Sequence, residues 1–126
     1  MLIEDQEIDN FINEKIVTKL FFSEVVLIHT NVLSALEYFS NIETHSPHLI
    51  PDFVFLDINL PLYDGWHFLE EFEKLKFPFD CKIVLLTASV NPEDKERAKI
   101  HKNVVGFFSK PLTEEIIITL SPLQVI

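Results

Sequence analysis

The chain has 126 residues, of which 48% are hydrophobic, and its 20 acidic against 10 basic residues give a formal net charge of −10. This hydrophobic content excludes a chain that is disordered throughout and predicts one domain, residues 1–126, with its own core. No basic residue lies between Lys19 and Lys74, which argues against direct binding of nucleic acid or of an anionic membrane surface. The single cysteine, Cys81, excludes an intrachain disulfide and a zinc site built from several cysteines.

Neither a membrane span nor a secretion signal is predicted. No stretch of the sequence approaches the roughly 18 apolar residues that a transmembrane helix needs. The first ten residues carry four acids and no base, which is unlike a secretory signal. We therefore expect a cytoplasmic protein.

Five short apolar segments predict strands. Leu2-Ile3 is read as the stub of a first strand, and the others are residues 25–28, 53–56, 83–86 and 104–108. Short apolar runs that do not alternate with polar residues are typical of strands buried on both faces of a parallel sheet.

Helical patterns fill the intervals between the strands. Three apolar stripes with helical spacing are Ile8, Phe11, Ile12 and Ile16; then Val32, Leu33, Leu36 and Phe39; then Trp66, Leu69, Phe72 and Leu75. A fourth helix begins at Asn91-Pro92, which supplies an N-cap and a first-turn proline. A fifth covers residues 114–120, and residues 41–51 are read as a long loop. The five histidines show no metal-ligand spacing, and His67 and His101 are expected on exposed helix faces.

Strand and helix alternate five times, which predicts an α/β fold with an open parallel sheet and helices on both faces. In such sheets ligands bind beyond the carboxyl ends of the strands. The residues at those ends are polar: Glu4-Asp5, Asp57 with Asn59, Thr87-Ala88, and Lys110-Pro111.

These strand ends form a chemically coherent set. Three carboxylates that converge repel one another unless a cation lies among them, and Mg²⁺ suits one or two carboxylates with phosphate oxygens and water. A lysine and a threonine hydroxyl can hold an anion, and an aspartate can become an aspartyl phosphate. The inventory suits phosphoryl transfer, in which positioning and charge neutralisation supply most of the catalysis.

Four motifs carry a resemblance to a known family: Leu-Ile-Glu-Asp at 2–5, the segment 55–65 around Asp57, Leu-Thr-Ala at 86–88, and Phe-Phe-Ser-Lys-Pro at 107–111. In this order, the chain resembles the receiver domains of two-component response regulators over nearly its whole length. The resemblance implies a doubly wound, flavodoxin-like (βα)5 sandwich whose five parallel strands lie in the order 2-1-3-4-5. It also implies a histidine kinase or phosphotransfer protein as the phosphoryl donor and an aspartate as the acceptor.

The resemblance also assigns roles to residues. Asp57 is implied as the phosphoacceptor. The implied Mg²⁺ ligands are Glu4, Asp5, Asp57 and the backbone carbonyl of Asn59. The implied phosphoryl-binding residues are Thr87, Ala88 and Lys110. Thr87 and Phe107 are implied as switch residues, and the Lys110–Pro111 peptide bond is implied to be cis.

Two other functions remain open from the sequence. Only three residues precede Glu4, and a first strand this short could misplace Asp5, which would leave a pseudo-receiver that binds proteins without being phosphorylated. A haloacid-dehalogenase-type phosphohydrolase also uses an aspartate nucleophile, but that family has an acid where this chain has Asn59. We expect no output domain, an unidentified downstream protein target, and a monomer or a phosphorylation-dependent dimer.

Overall fold

A computed structural model describes residues 1–20, 22–23, 25–42, 49–75, 80–88 and 90–123. Within these residues the strands are β1 (Leu2–Ile3), β2 (Ile28–His29), β3 (Phe53–Asp57), β4 (Lys82–Thr87) and β5 (Val104–Ser109). The helices are α1 (Glu7–Lys19), α2 (Val32–Asn41), α3 (Gly65–Lys74), α4 (Pro92–Ala98) and α5 (Glu114–Leu120), and a 3₁₀ turn covers Ser121–Leu123. None of the described helices has the length and apolar character needed to cross a lipid bilayer.

The strands form one parallel sheet in the order β2-β1-β3-β4-β5, which confirms the predicted fold. The central strand β1 has only two residues but pairs on both sides: Leu2 with Ile28 and Phe55, and Ile3 with His29 and Leu56. The stub is therefore sufficient to hold the chain that follows it at the carboxyl edge of the sheet.

Two apolar clusters cover the two faces of the sheet. One joins residues of α2 and α3 to the sheet and includes Phe39, Phe68 and Leu85. The other joins α1 and α5 to the opposite face and includes Val17, Leu86 and Ile117. The result is the three-layer sandwich expected from alternating strands and helices.

The first part of the apolar stripe predicted for α1 faces outward, which corrects its expected orientation, whereas Ile16 packs against the apolar cluster as expected. Ile8 and Phe11 are 74% and 63% exposed, whereas the buried residues of the helix are Asn10, Asn13 and Val17. The Asn10 side-chain amide donates a 2.9 Å hydrogen bond to the Glu4 carbonyl, so a polar contact fixes the start of α1 against the end of β1. This contact, together with packing at Val17, decides the orientation of the helix.

The second strand was predicted over residues 25–28, but β2 is Ile28–His29 and Val25 is exposed. A ladder can be only as long as its partner, and β1 offers two residues for pairing. The Leu27 carbonyl still accepts a 2.7 Å hydrogen bond from the Leu2 amide, which extends the contact without extending the strand.

The predicted start of α4 is confirmed, because Asn91 accepts a hydrogen bond from the Glu93 amide; Asp64 caps α3 in a similar way by accepting one from the His67 amide. The expectation for His101 was wrong. It follows α4, is 6% exposed, stacks on Trp66, and its Nδ1 lies 2.5 Å from Glu73 Oε1. Of the predicted loop 41–51, residues 43–48 lie outside the described residues.

Candidate functional site

The carboxyl edge of the sheet gathers the polar residues that follow the strands. Glu4 comes directly after β1, Asp57 and Thr87 end β3 and β4, and Lys110 comes directly after β5. In the ladders Asp57 pairs with Leu86 and Thr87 pairs with Ser109, so these strands end nearly level. Residues 23 to 106 positions apart in sequence are thereby brought to one edge.

Lys110 is the centre of the site. Its ammonium lies 2.9 Å from Asp57 Oδ2 and 3.3 Å from Asp9 Oδ2, and it is in direct contact with Glu4 Oε1. The Glu4 and Asp57 side chains are 3% and 5% exposed. Buried carboxylates are costly unless they are paired, and here one ammonium compensates both.

Burial and ion pairing have opposite effects on the pKa values of Glu4 and Lys110. Burial raises the pKa of Glu4, and the nearby charge of Asp57 raises it further, while the hydrogen bond from Lys110 opposes the rise. Burial alone would lower the pKa of Lys110, but its hydrogen bonds to Glu4 and Asp57 outweigh burial and raise it. Lys110 therefore stays charged at neutral pH and supplies positive charge to the acidic cluster.

The Asp57 carboxylate is held at both oxygens. Oδ1 accepts a 3.0 Å hydrogen bond from the Asn59 amide, and Oδ2 accepts the bond from Lys110. The Asn59 side-chain amide lies 3.3 Å from Thr87 Oγ1 and donates to it, which ties the loop after β3 to the end of β4. Asp57 is thus oriented directly by the local backbone and by Lys110, and the loop that supplies the Asn59 amide is tied to β4.

Gly65 brings α3 close behind Asp57. A Cβ at this position would lie 2.8 Å from the Ile58 Cα and 3.0 Å from the Asp57 carbonyl oxygen, so a larger residue would push the segments apart. The Gly65 amide also donates a 2.9 Å hydrogen bond to the Ile58 carbonyl. The backbone that carries Asp57 is therefore fastened directly to the first turn of α3.

Three carboxylates are arranged so that they could share a cation. Glu4, Asp5 and Asp57 each offer one oxygen, and these oxygens lie within 4.8 Å of one another. Octahedral ligands about 2.1 Å from Mg²⁺ lie about 3 to 4 Å apart. Oxygen-only donors at this spacing fit Mg²⁺, bound directly or through water.

The other predicted residues are also near this edge. Thr87 is buried, Ala88 is exposed just after β4, and the Lys110–Pro111 peptide bond is cis. Phe107 lies in β5, is half-buried, and packs against the cluster formed with α2 and α3. Its role as a switch stays a prediction, as does the Asn59 carbonyl as a ligand.

Asp9 was missed from the sequence. It lies in the first turn of α1, and its carboxylate contacts Lys110 although 101 residues separate the two. Its position four residues after Asp5, about one helical turn along, was the available signal. That signal was weak, because an acid in the first turn of a helix is commonly explained by the helix dipole.

Comparisons with known proteins agree with this geometry. A family model described as the response regulator receiver domain matches residues 1–120. A two-component response regulator from Cytophaga hutchinsonii is 27% identical with a TM-score of 0.87, and the match covers 97% of this chain and 92% of that chain. One from Legionella pneumophila is 26% identical with a TM-score of 0.80, covering 97% of this chain and 93% of that chain.

A more distant likeness extends to the fold alone. A phosphorylated cyanobacterial phytochrome response regulator is 22% identical with a TM-score of 0.71, and the match covers 94% of this chain and 84% of that chain. A search of curated proteins found no match.

Proposed function

We propose that Asp57 accepts the phosphoryl group in this chain, which belongs to the family of response regulator receiver domains and is a phosphoacceptor of two-component signalling. Receiver domains bind Mg²⁺ at an acidic pocket and take the phosphoryl group from a histidine kinase or a phosphotransfer protein. One observation carries the assignment of Asp57: it is a buried carboxylate at the end of β3 whose Oδ2 lies 2.9 Å from the Lys110 ammonium.

The remaining roles follow from the chemistry of the neighbours. Glu4, Asp5 and Asp57, with the Asn59 carbonyl, would hold Mg²⁺. The bound ion would offset the negative charge shared by the carboxylates and the incoming phosphoryl oxygens. Thr87 would donate a hydrogen bond to a phosphoryl oxygen, and the small side chain of Ala88 would leave room beside it.

The transfer itself needs little chemistry from the protein. The bond between phosphorus and the donor nitrogen breaks as a bond forms to an Asp57 oxygen, and the donor imidazole leaves. The Asn59 amide holds Oδ1 in place, so Oδ2 faces Lys110. Lys110 can then pair with the oxygens that arrive on that side, because its ammonium already contacts Oδ2. This is catalysis by positioning and charge compensation.

Signalling would follow from the new contacts of Thr87. We propose that Thr87 moves toward the phosphoryl group and that Phe107, on the neighbouring strand, changes its packing in response. The ladder between β4 and β5 supports this pairing, since Leu85 lies opposite Phe107 two residues before Thr87. An unidentified partner protein would read the change, and the chain would be a monomer or form a dimer on phosphorylation.

The family is one of signalling domains. We propose that the chemistry of this chain is limited to its own phosphorylation and dephosphorylation, and that it acts in the cytoplasm. The two alternatives are not favoured. A pseudo-receiver would follow from misplaced acids, but the short β1 still brings Glu4 and Asp5 within reach of Asp57. A phosphohydrolase of the haloacid dehalogenase type would need an acid at position 59, which is asparagine.

Labelling with acetyl phosphate and Mg²⁺ tests the assignment of Asp57. We expect the parent to gain one phosphoryl group by mass spectrometry and the Asp57→Asn variant to gain none, because an amide cannot form the acyl phosphate. Chelating Mg²⁺ should prevent labelling of the parent. Asp52→Asn is the matched control, since Asp52 is an exposed acid at the opposite end of β3 and should leave labelling unchanged. Equal labelling of Asp57→Asn and the parent would contradict the assignment.

A further inference from the structure

Lys110 has a third carboxylate partner that lies outside the candidate cation site. The Asp9 carboxylate is 3.3 Å from the Lys110 ammonium, and its side chain is 33% exposed, whereas those of Glu4 and Asp57 are almost fully buried. Asp9 is not among the three carboxylates whose oxygens lie within 4.8 Å of one another. It therefore contacts the ammonium from the solvent side of the site.

The Lys110 ammonium and a bound Mg²⁺ would compete for the same carboxylate oxygens. Lys110 contacts Glu4 and Asp57, and both belong to the set that would hold Mg²⁺. An ammonium in full contact with these oxygens competes with a divalent ion, both by occupying lone pairs and by direct repulsion. A carboxylate that draws the ammonium toward solvent reduces this competition.

We propose that Asp9 is a positioning residue that shares the Lys110 ammonium with Glu4 and Asp57 and draws it away from them when the acidic cluster accepts a divalent cation. The inference rests on the proposed function of the site. Asp9 acts through Lys110 and touches neither the acceptor carboxylate nor the cation ligands in the described contacts.

Neutralising Asp9 should shift cation and anion binding in opposite directions. Without the Asp9 charge, the site is less negative and Lys110 has no carboxylate to move to when the cation binds Glu4 and Asp57, so Mg²⁺ should bind more weakly. Once Mg²⁺ is saturating, Lys110 has one carboxylate fewer to hold it, so a phosphoryl-like anion should bind at least as tightly. A residue that merely supported the fold would weaken both.

The structural alternative is that Asp9 interacts only with the dipole of α1. Glu7 shares that position, because both acids lie in the first turn of the helix and Glu7 is exposed. Glu7→Gln removes the same unit of charge from the same helix turn. In the part of the chain that the structure describes, Lys110 forms its ion pairs with Glu4, Asp9 and Asp57 and none with Glu7. Glu7→Gln is therefore the matched control for Asp9→Asn.

The test is calorimetric titration of four proteins, namely the parent, Asp9→Asn, Asp9→Glu and Glu7→Gln, first with Mg²⁺ alone and then with beryllofluoride at saturating Mg²⁺. We expect Asp9→Asn to weaken Mg²⁺ binding by about fivefold, the size of effect that a nearby partly solvated charge produces. Beryllofluoride should bind equally well or up to about threefold more tightly. Asp9→Glu should recover most of the Mg²⁺ affinity, and Glu7→Gln should stay within about twofold of the parent.

The outcomes separate this inference from the function on which it rests. A parent that binds no Mg²⁺ would overturn both. A parent that binds Mg²⁺ while Asp9→Asn has the same affinity would overturn only the role of Asp9. Equal weakening by Glu7→Gln, or weaker binding of both Mg²⁺ and beryllofluoride by Asp9→Asn, would also overturn it. Thermal unfolding of each variant shows that the proteins compared are folded, and Asp9→Glu provides a second variant with the charge retained.

Discussion

The two ends of β3 differ in chemistry although all five residues of the strand are buried. At the amino end, the Phe53 ring packs 4.9 Å from the ring of Phe22, and apolar contact satisfies the burial. At the carboxyl end, Asp57 is equally buried, but it is satisfied by Lys110 and by the Asn59 amide. The comparison shows that one strand can provide packing at one end and chemistry at the other, about 13 Å away.

The amino and carboxyl edges of the sheet also each contain a buried acid whose pKa is raised. At the amino edge, burial raises the pKa of the Cys81 thiol to about 12. At the carboxyl edge, burial raises the pKa of Glu4, but Lys110 opposes the rise. The difference is the direct ion pair: Glu4 is in contact with the Lys110 ammonium, whereas the amino terminus and Lys82 lower the pKa of Cys81 by less than burial raises it.

The largest effect is expected from a substitution at the amino end of β3. Phe53→Ala removes a ring that is 5% exposed and should lower the free energy of unfolding by about 3–5 kcal/mol, through lost burial and the cavity left behind. Because Phe53 is remote from the acidic site, the extra stability conferred by saturating Mg²⁺ should be the same in the variant and the parent. Denaturant unfolding with and without Mg²⁺ measures both quantities. A Mg²⁺ increment that disappears in Phe53→Ala would show that the two ends are coupled.

The next largest effect concerns the reactivity of Cys81. A thiol pKa of about 12, compared with an ordinary value of 9.0, leaves about a thousandfold fewer thiolates at pH 8, and the thiolate is the reactive form. Iodoacetamide should therefore label the native protein at least about a thousandfold more slowly than the protein in denaturant. Mass spectrometry over a time course gives both rates. Native labelling within about tenfold of the unfolded rate would contradict the burial of this thiol.

The smallest effect is a pH dependence at the carboxyl end. Burial raises the pKa of Glu4 from 4.5 to about 7, so the folded protein holds a proton that the unfolded chain has released between these values. The contribution of Glu4 to stability therefore falls as the pH rises through this window. Glu4→Gln lacks this titration, so its stability relative to the parent should rise by on the order of 1 kcal/mol from about pH 5 to pH 7.5.

Urea unfolding of Glu4→Gln and the parent across that pH range, in metal-free buffer, measures the difference. Other titrating groups are common to both proteins and cancel in the comparison. A difference in stability that does not change with pH would show that Glu4 is ionised as readily as an exposed glutamate.

Local sequence patterns were sufficient to predict strands that are buried on both faces and helix starts that depend only on neighbouring residues. The strands β3 and β4 are buried on both faces, so an apolar run bounded by polar residues identifies them without further information. Asn91-Pro92 marks the start of α4 because capping depends only on neighbouring residues. The rule that parallel strands end at one edge then brought Glu4, Asp57 and Lys110 together.

The errors depend on particular contacts that hydrophobic periodicity and capping patterns do not predict. The outward face of α1 follows from the bond between Asn10 and the Glu4 carbonyl, which no periodicity reveals. The burial of His101 depends on Glu73 and Trp66 of another helix. Asp9 was missed because its partner lies 101 residues away and its helix position had a sufficient local explanation.

The source of the positive charge in the acidic site has a consequence for assembly of the protein. Lys110 follows the last strand, whereas the acids it pairs with lie directly after the first strand, at the end of the third strand and in the first helix. During synthesis, the amino-terminal part of the chain therefore carries mutually repelling carboxylates whose counter-ion has not yet been made. Docking of β5 completes the sheet and brings a positive charge to its acidic edge in the same event, so we expect the finished domain to gain stability that shorter nascent chains lack.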